Sequence, residues 1–524
     1  MNESSFGLGQ DRYDLSYFEG FSGIESSELI KIQNEYIEIS HVDLQVEAIN
    51  KERGHIKIKV TNGSVLDIFL VGYICRLIEE LGDYESAKLS VKRRKDFSKV
   101  ENIFIIGGGL SGLSTAYFLK KKGIPFTLLE KEDRFGGVIQ SFKNEQQVWD
   151  KAAVSFSMTP EIQEIITDLG LENELVQAAE TSNARYIFRR AKLRKLTSSP
   201  SSIFKSPLLS IRGKLKLILE SRNTSRTYAK ESVADFVSRR FGREMYESVA
   251  NPVLSGIYAG DPERMEAAVV LKQFVEYEKE FGSIIKGFKA NKGKNKRIIS
   301  SFKQGTGVLL VAMYESVKEH CVSGVEIKDV KKVGEGYEIC TAKGDQYEAG
   351  AIISCVPAYA SAEIFKNLSS SVEQTLKQIP YYKLDMTHLT YKKSDIKGKI
   401  EGFGFLFPEV EKKPLLGVVI NSCAFDNRAA EDEMTFTAFS KPGLGHTSEL
   451  AQKEIEKLLN IGAEPTFKRV THWPKAIPQF EIGHSEIVQR IADFEKNEFI
   501  TISGNFRSGV SVGDCVKFAK KISQ

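Results

Sequence analysis

The stretch FIIGGGLSGLSTAYFLKKKGIPFTLLEK, residues 104–131, constrains this chain more than any other. A short apolar run meets three close-set glycines, a helix-like segment with a glycine stop follows, and a second apolar run ends in an acid. That order predicts strand, tight turn, helix and strand. Gly107, Gly109 and Gly112 carry the spacing of a dinucleotide loop: a tight turn, a close backbone approach to a pyrophosphate, and close packing of helix on strand. Leu110 and Ser111 open the helix, whose N-terminus offers N–H donors and a positive dipole end to phosphates. Glu130, closing the second strand, is placed to accept hydrogen bonds from a ribose diol.

The residues after Glu130 distinguish between dinucleotides. KEDRFGGVIQSF brings Lys131, Arg134 and the pair Gly136 and Gly137 directly behind the acid. A second glycine pair lets backbone run beside the pyrophosphate and ribityl chain of an extended FAD. A simple nicotinamide site calls for no such element, so FAD is the expected cofactor. The six cysteines are scattered with no CxxC pair and no zinc spacing, so no metal site is expected, and they read as reduced thiols of a cytosolic protein.

Length and charge narrow the class further. The 524 residues are enough for several domains, and the net charge of +4 does not favour nucleic acid as a partner. The start, MNESSFGLGQDRYD, is acidic and lacks the basic and apolar regions of a secretory leader, so a cytoplasmic location is expected. The most apolar short run, residues 68–75, falls far below the roughly 20 residues needed to span a bilayer.

The expected fold class is α/β: a Rossmann-like FAD-binding domain, a mixed-sheet substrate domain and a helical insertion, behind a small α+β N-terminal extension. Residues 1–98 form that extension, with HIKIKV (55–60) as a strand, VLDIFLVGYICRLIEELGD as an amphipathic helix and KLSVKRRKDFSK (88–99) as a basic linker. The FAD domain is expected in three segments, 99–160, 300–360 and 486–524. Residues 161–285 read as mainly helical and 361–485 as the substrate domain. The Lys-rich stretch 286–298 reads as a solvated loop.

The order GxGxxG, acid, RxGG resembles the amine-oxidase-like flavoproteins. Four longer stretches resemble one family within them, the oxygen-dependent protoporphyrinogen oxidases. They are NPVLSGIYAGDPERMEAAVVLKQFVEYEKEFGSIIKG (251–287), GFGFLFPEVEKKPLLGVVINSCAFDNRA (402–429), HWPKAIPQFEIGH (472–484) and GNFRSGVSVGDC (504–515), collinear over residues 100–524. The resemblance implies oxidation of protoporphyrinogen IX to protoporphyrin IX in haem synthesis, with hydride passing to FAD and electrons then to O2, giving H2O2. The flavin carries the hard step, so no catalytic side chain is implied. It also implies that a strand with Val330 touches the adenine, and that Gly504, Gly509, Val510 and Ser511 face the flavin.

On the substrate side the resemblance implies that Phe403 stacks on a pyrrole, Lys143 meets a carboxylate and a helix containing Gly213 covers the substrate. Ala152 and Val154 depart from the family pattern beside the flavin. Two alternatives stay open: coproporphyrinogen III oxidation, for which Arg185, Arg189, Arg190 and Lys192 would supply the extra cations, and another amine-oxidase-like flavin oxidase or desaturase. A FAD-stabilised scaffold whose extension does the biology is the alternative of another class. A homodimer, an unidentified partner of the extension, and peripheral contact with the cytoplasmic face of a membrane through the basic amphipathic segment 202–222 complete the expectations.

Overall fold

The computed structural model describes the strands at 2–7, 44–50 and 55–60, and residues 97–524 apart from 146, 198–199, 292–297, 442 and 444. The chain divides into two compact units, 1–99 with 496–498 and 524, and 100–495 with 499–523. In the first unit His55–Val60 is the central strand, paired antiparallel with Asn2–Gly7 on one side and Leu44–Asn50 on the other. The helix expected after it and most of the linker 88–99 lie outside the described residues.

In the second unit the strand Ile103–Ile106 is buried at all four positions. A strand with apolar side chains on both faces belongs inside a parallel sheet covered by helices. It pairs in parallel with Thr127–Leu129 and Ala351–Ser354, and the sheet is completed by Cys321–Val322 and Ile500–Ile502. The segments that build this sheet are separated by hundreds of residues. The helix Leu110–Lys121 follows the first strand, and the C-terminal helix Val512–Ser523 follows the last.

A seven-stranded mixed sheet forms the other half, in the order Lys192–Thr197, Ala184–Arg189, Gly404–Leu406, Leu415–Ile420, Glu433–Ser440, Tyr381–Lys392, Phe467–Pro478. Its apolar face packs Leu389, Tyr391, Phe405, Phe407, Phe436 and their neighbours into one core. The 161–285 region is mostly helical and also contributes strands to the sheets. Strands run at Leu175–Gln177, Ala184–Arg189 and Lys192–Thr197, and helices dominate only after Pro200. The hairpin at 184–197 escapes notice because Arg190 and Ala191, not Asn-Gly, take the positive φ values of its two-residue turn, 53° and 57°. The expected second FAD segment also opens outside the parallel sheet: Ile299–Phe302 pairs with Phe156–Ser157 and Leu175–Gln177 in a small sheet of its own. The helical lobe that follows is centred on Val233, Phe236, Val237, Leu254 and Val275.

Candidate active site

The glycine loop sits at the C-terminal ends of the parallel strands, where open α/β sheets bind their ligands. Gly107 donates its N–H to Leu129 O at 2.8 Å, and Gly136 donates to Gly108 O at 2.8 Å, so the two glycine clusters are laced together. Gly137 has φ +59°, and a Cβ there would stand 2.9 Å from the Cα of Gly109. That contact is the physical reason for the second glycine pair: two backbones converge where a pyrophosphate must approach. Gly109 caps the helix Leu110–Lys121 with no side chain, which leaves the first N–H groups of Leu110, Ser111 and Gly112 to a ligand. Glu130 is buried, with Oε2 accepting from Gly108 N at 2.6 Å and Oε1 from Glu132 N at 3.0 Å. A carboxylate has further lone pairs, so it can still accept from a diol. Arg134 donates to Gly137 O at 3.0 Å, and Lys131 is exposed beside Glu132. These residues fit the FAD that the sequence implies: the cradle is one a Cβ would fill, and its donors are uncapped.

The C-terminal loop closes the site. Ser503 N donates to Ser354 O at 2.7 Å, which carries the chain on from the parallel sheet. Gly504 takes φ +153°, and a Cβ there would come within 2.6 Å of the Phe506 ring. Gly509, Val510 and Ser511 then lead into the C-terminal helix, with Ser511 Oγ accepting from Asp514 N at 3.1 Å. Val330 lies on the strand Ile327–Val333. Its side chain is fully buried in the core behind the sheet and it pairs with Ile339. The segment that runs against Glu130 lies earlier: Val325 N donates to Glu130 O at 2.9 Å, and a bulge interrupts the ladder between Ile327 and Asp329.

On the opposite side, Phe403 is only half-buried, whereas Phe405 and Phe407 point into the core. Over its ring lies the guanidinium of Arg185, 4.9 Å from the centroid. Strand pairing dictates the meeting, because Arg185 lies opposite Gly404 in the parallel ladder and Phe403 N donates to Ala184 O at 2.9 Å. Burial lowers the pKa of Arg185, and among the described residues no carboxylate pairs with it. A cation withdrawn from water without a counter-charge, stacked on an accessible aromatic face, suits a flat ligand with an acidic edge.

Lys143 does not share this location. It is exposed on a short hairpin whose Phe142 and Trp149 stack at 5.6 Å, and Trp149 leans on Phe467 rather than on Phe403. Gly213 lies in the helix Ile211–Ile218 of the helical lobe, where its missing Cβ makes room for the Glu244 carboxylate. Ser210 caps that helix and donates through its N–H to Glu244 at 2.8 Å. Asp150 and Arg428 join the two halves and were not singled out by the sequence. Both side chains are fully buried; Arg428 donates to Asp150 at 3.0 Å, and Asp150 also accepts from Thr306 N at 2.9 Å.

A parallel sheet with a glycine cradle at the C-terminal end of its central strand, beside a mixed sheet that presents an accessible aromatic and a cation, defines a flavoprotein. The chain belongs to the flavin-containing amine oxidoreductase family, whose model matches residues 110–508, and FAD is its cofactor. It is 26% identical over 466 residues to protoporphyrinogen oxidase 2 of Arabidopsis thaliana, covering 79% of this chain and 92% of that one. It is 24% identical over 457 residues to the coproporphyrinogen III oxidase of Bacillus subtilis, covering 80% and 96%. Among solved structures, one from Exiguobacterium sp. 255-15 matches with a TM-score of 0.67 at 19% identity, covering 80% of this chain and 97% of that one. Reduced UDP-galactopyranose mutase matches with a TM-score of 0.62 at 17% identity, covering 80% and 94%. These structural likenesses speak for the fold alone.

Proposed function

We propose that this protein oxidises protoporphyrinogen IX to protoporphyrin IX, with O2 as the final acceptor and H2O2 as the second product. The observation that carries the reading is Arg185 stacked over the accessible face of Phe403 with no acidic partner among the described residues. When bound, FAD supplies the two-electron acceptor for the carbon–hydrogen bonds that are broken. The chain's own residues bind and orient. Phe403 offers its free face to a pyrrole ring, and Phe405 and Phe407, fixed in the core, hold that stretch of strand still. Arg185 takes a peripheral carboxylate through a charge-assisted, bidentate pair, which sets the macrocycle's rotation in its slot.

The four-carboxylate substrate coproporphyrinogen III is the second reading, favoured by relatives of that name. What supports the two-carboxylate substrate is how the other cations of the hairpin are used. Arg189 is engaged by Glu411 at 2.9 Å, and the same carboxylate accepts from Arg190 N at 3.1 Å. Arg189 also lies about 13 Å along the strand from Arg185. Aerobic turnover of both porphyrinogens, read as porphyrin fluorescence, tests the choice. A higher kcat/KM for coproporphyrinogen would overturn it, and no flavin reduction by either would overturn the whole reading.

The helix Ile211–Ile218 supports a further part of the proposal, peripheral contact with an anionic membrane surface. Ile211, Leu215, Ile218 and Leu219 are 79%, 51%, 57% and 46% exposed, interleaved with Arg212, Lys214 and Lys216. Among the described residues no helix is long and apolar enough to cross a membrane, so the contact is interfacial. Flotation with phosphatidylglycerol vesicles at low salt, lost in Leu215→Glu, is the expected result; no flotation by the wild type removes this part.

A further inference from the structure

The loop that closes the flavin side, residues 503–509, is held by one helix at Ile502 before it and at Phe506 and Arg507 within it. That helix, His484–Glu495, runs beside the strand Ile500–Ile502 and the loop beyond it. At its first residue, His484 is 2% exposed and its Nε2 lies 2.7 Å from Phe506 O. A carbonyl can only accept, so Nε2 carries the proton. The imidazole is held from the other side by Phe480, with ring centroids 4.6 Å apart. At the last residue, Glu495 Oε1 accepts from Ile502 N at 2.6 Å, where the loop begins. Glu495 also pairs with Arg507, through Nη2 to Oε2 at 2.7 Å, while Arg507 Nη1 donates back to Ile502 O at 2.6 Å.

The two grips lie about 16 Å apart along the helix. Between them the loop adds bonds of its own: Arg507 N and Ser508 Oγ both donate to Gly504 O, at 3.0 Å and 3.1 Å. The start of the helix is anchored as well. The Glu266 carboxylate, from the segment joined to the helical lobe, accepts from Gly483 N and Ser485 N, both at 3.0 Å. A glycine-containing loop left to itself samples many conformations, and ordering it on binding would be charged against cofactor affinity. Fastened in advance, its backbone is ready at one distance from the ligand.

We propose that His484 and the Glu495–Arg507 pair are positioning residues, a helical splint that preorganises the flavin-facing loop. The proposal rests on residues 503–511 facing the flavin. Neither grip touches the substrate site around Phe403, so the splint acts on the cofactor. Its removal changes how FAD is held, with less effect on how the porphyrinogen is recognised.

The test uses the full chain with His484→Gln, His484→Leu and Arg507→Gln. FAD affinity is measured by titrating apoprotein with FAD; the visible circular dichroism and midpoint potential of bound flavin are recorded, and amide exchange at 502–508 is followed in the apoprotein. His484→Leu is expected to weaken FAD about tenfold, the upper range for one buried hydrogen bond, with an altered flavin spectrum and faster exchange. Glutamine can still donate from Nε2, and His484→Gln should restore most of both. Arg507→Gln, at the better exposed grip, should move the same readouts and carries the test if His484→Leu fails to fold. A merely structural role would lower the folded yield but leave the spectrum and potential of the folded fraction unchanged. Wild-type affinity, spectrum and potential in folded His484→Leu and Arg507→Gln overturn the splint. If Gly137→Ala also leaves FAD binding unchanged, the placement of the cofactor itself fails.

Discussion

Arg185→Ala is the substitution that most directly tests the site. The guanidinium is largely withdrawn from water, has no carboxylate partner among the described residues and rests on Phe403 at 4.9 Å. If it receives a substrate carboxylate, its loss removes a charge-assisted hydrogen bond of about 1.5–3 kcal/mol, or about 10- to 150-fold in kcat/KM. That loss should appear mainly in KM, because a peripheral carboxylate binds ground state and transition state alike. Stability should respond differently. The cation–π contact contributes about 0.5–1 kcal/mol, and losing it is offset by relief of the burial that lowers this group's pKa. The folded protein should therefore change by no more than about 1 kcal/mol in urea unfolding. The assay compares protoporphyrinogen IX with its dimethyl ester, read as porphyrin fluorescence. Wild type should prefer the diacid and Arg185→Ala should treat the two alike. Arg185→Lys, a point charge without the planar fork, should fall between. The reasoning is refuted if Arg185→Ala keeps the preference for the diacid, or loses ester and diacid turnover equally.

Gly137→Ala should yield protein without bound FAD, because its Cβ would stand 2.9 Å from Gly109 Cα; a stoichiometric flavin absorbance in the purified variant would contradict the cradle. Arg428→Leu leaves the Asp150 carboxylate fully buried without its cation and should cost about 3–5 kcal/mol in urea unfolding, part of it restored by adding Asp150→Asn. An unchanged unfolding midpoint would remove the pair as the joint between the two halves. His388 is buried, with Nδ1 at 2.9 Å from Thr437 Oγ1, and burial pushes its pKa down from 6.5 to about 4. Below pH 6.5 the unfolded chain takes up a proton that the native state refuses, so stability falls from pH 6.5 to about 4 and is flat above. The full effect is roughly 3 kcal/mol. His388→Asn should flatten that limb of urea midpoints against pH, and an unaltered limb would assign it to other groups.

The cofactor side of this protein was legible in the sequence because its signals are local. Strand, turn and helix follow one another within residues 104–131, and each glycine answers to backbone geometry a few residues away. Even there, what Gly137 is for emerged only when its Cα was found against that of Gly109. The substrate side was harder to read. Phe403 and, for a substrate carboxylate, Lys143 stand out in the sequence, but Lys143 is exposed on another hairpin, and nothing in the sequence pairs Arg185 with Phe403. Arg185 reaches Phe403 through a parallel pairing of segments more than two hundred residues apart, and nothing in either segment's periodicity names its partner.

The sequence by itself therefore determined the βαβ unit, the acid and second glycine pair that distinguish FAD, and the terminal glycine loop, because dihedral preference and hydrophobic period are local properties of a chain. Tertiary structure alone decided which side chains meet: Arg185 on Phe403, Arg428 on Asp150, and His484 and Glu495 on the loop at 503–509. Those meetings are set by strand order and by burial of charge against a partner, and both exist only once distant segments have folded onto one core.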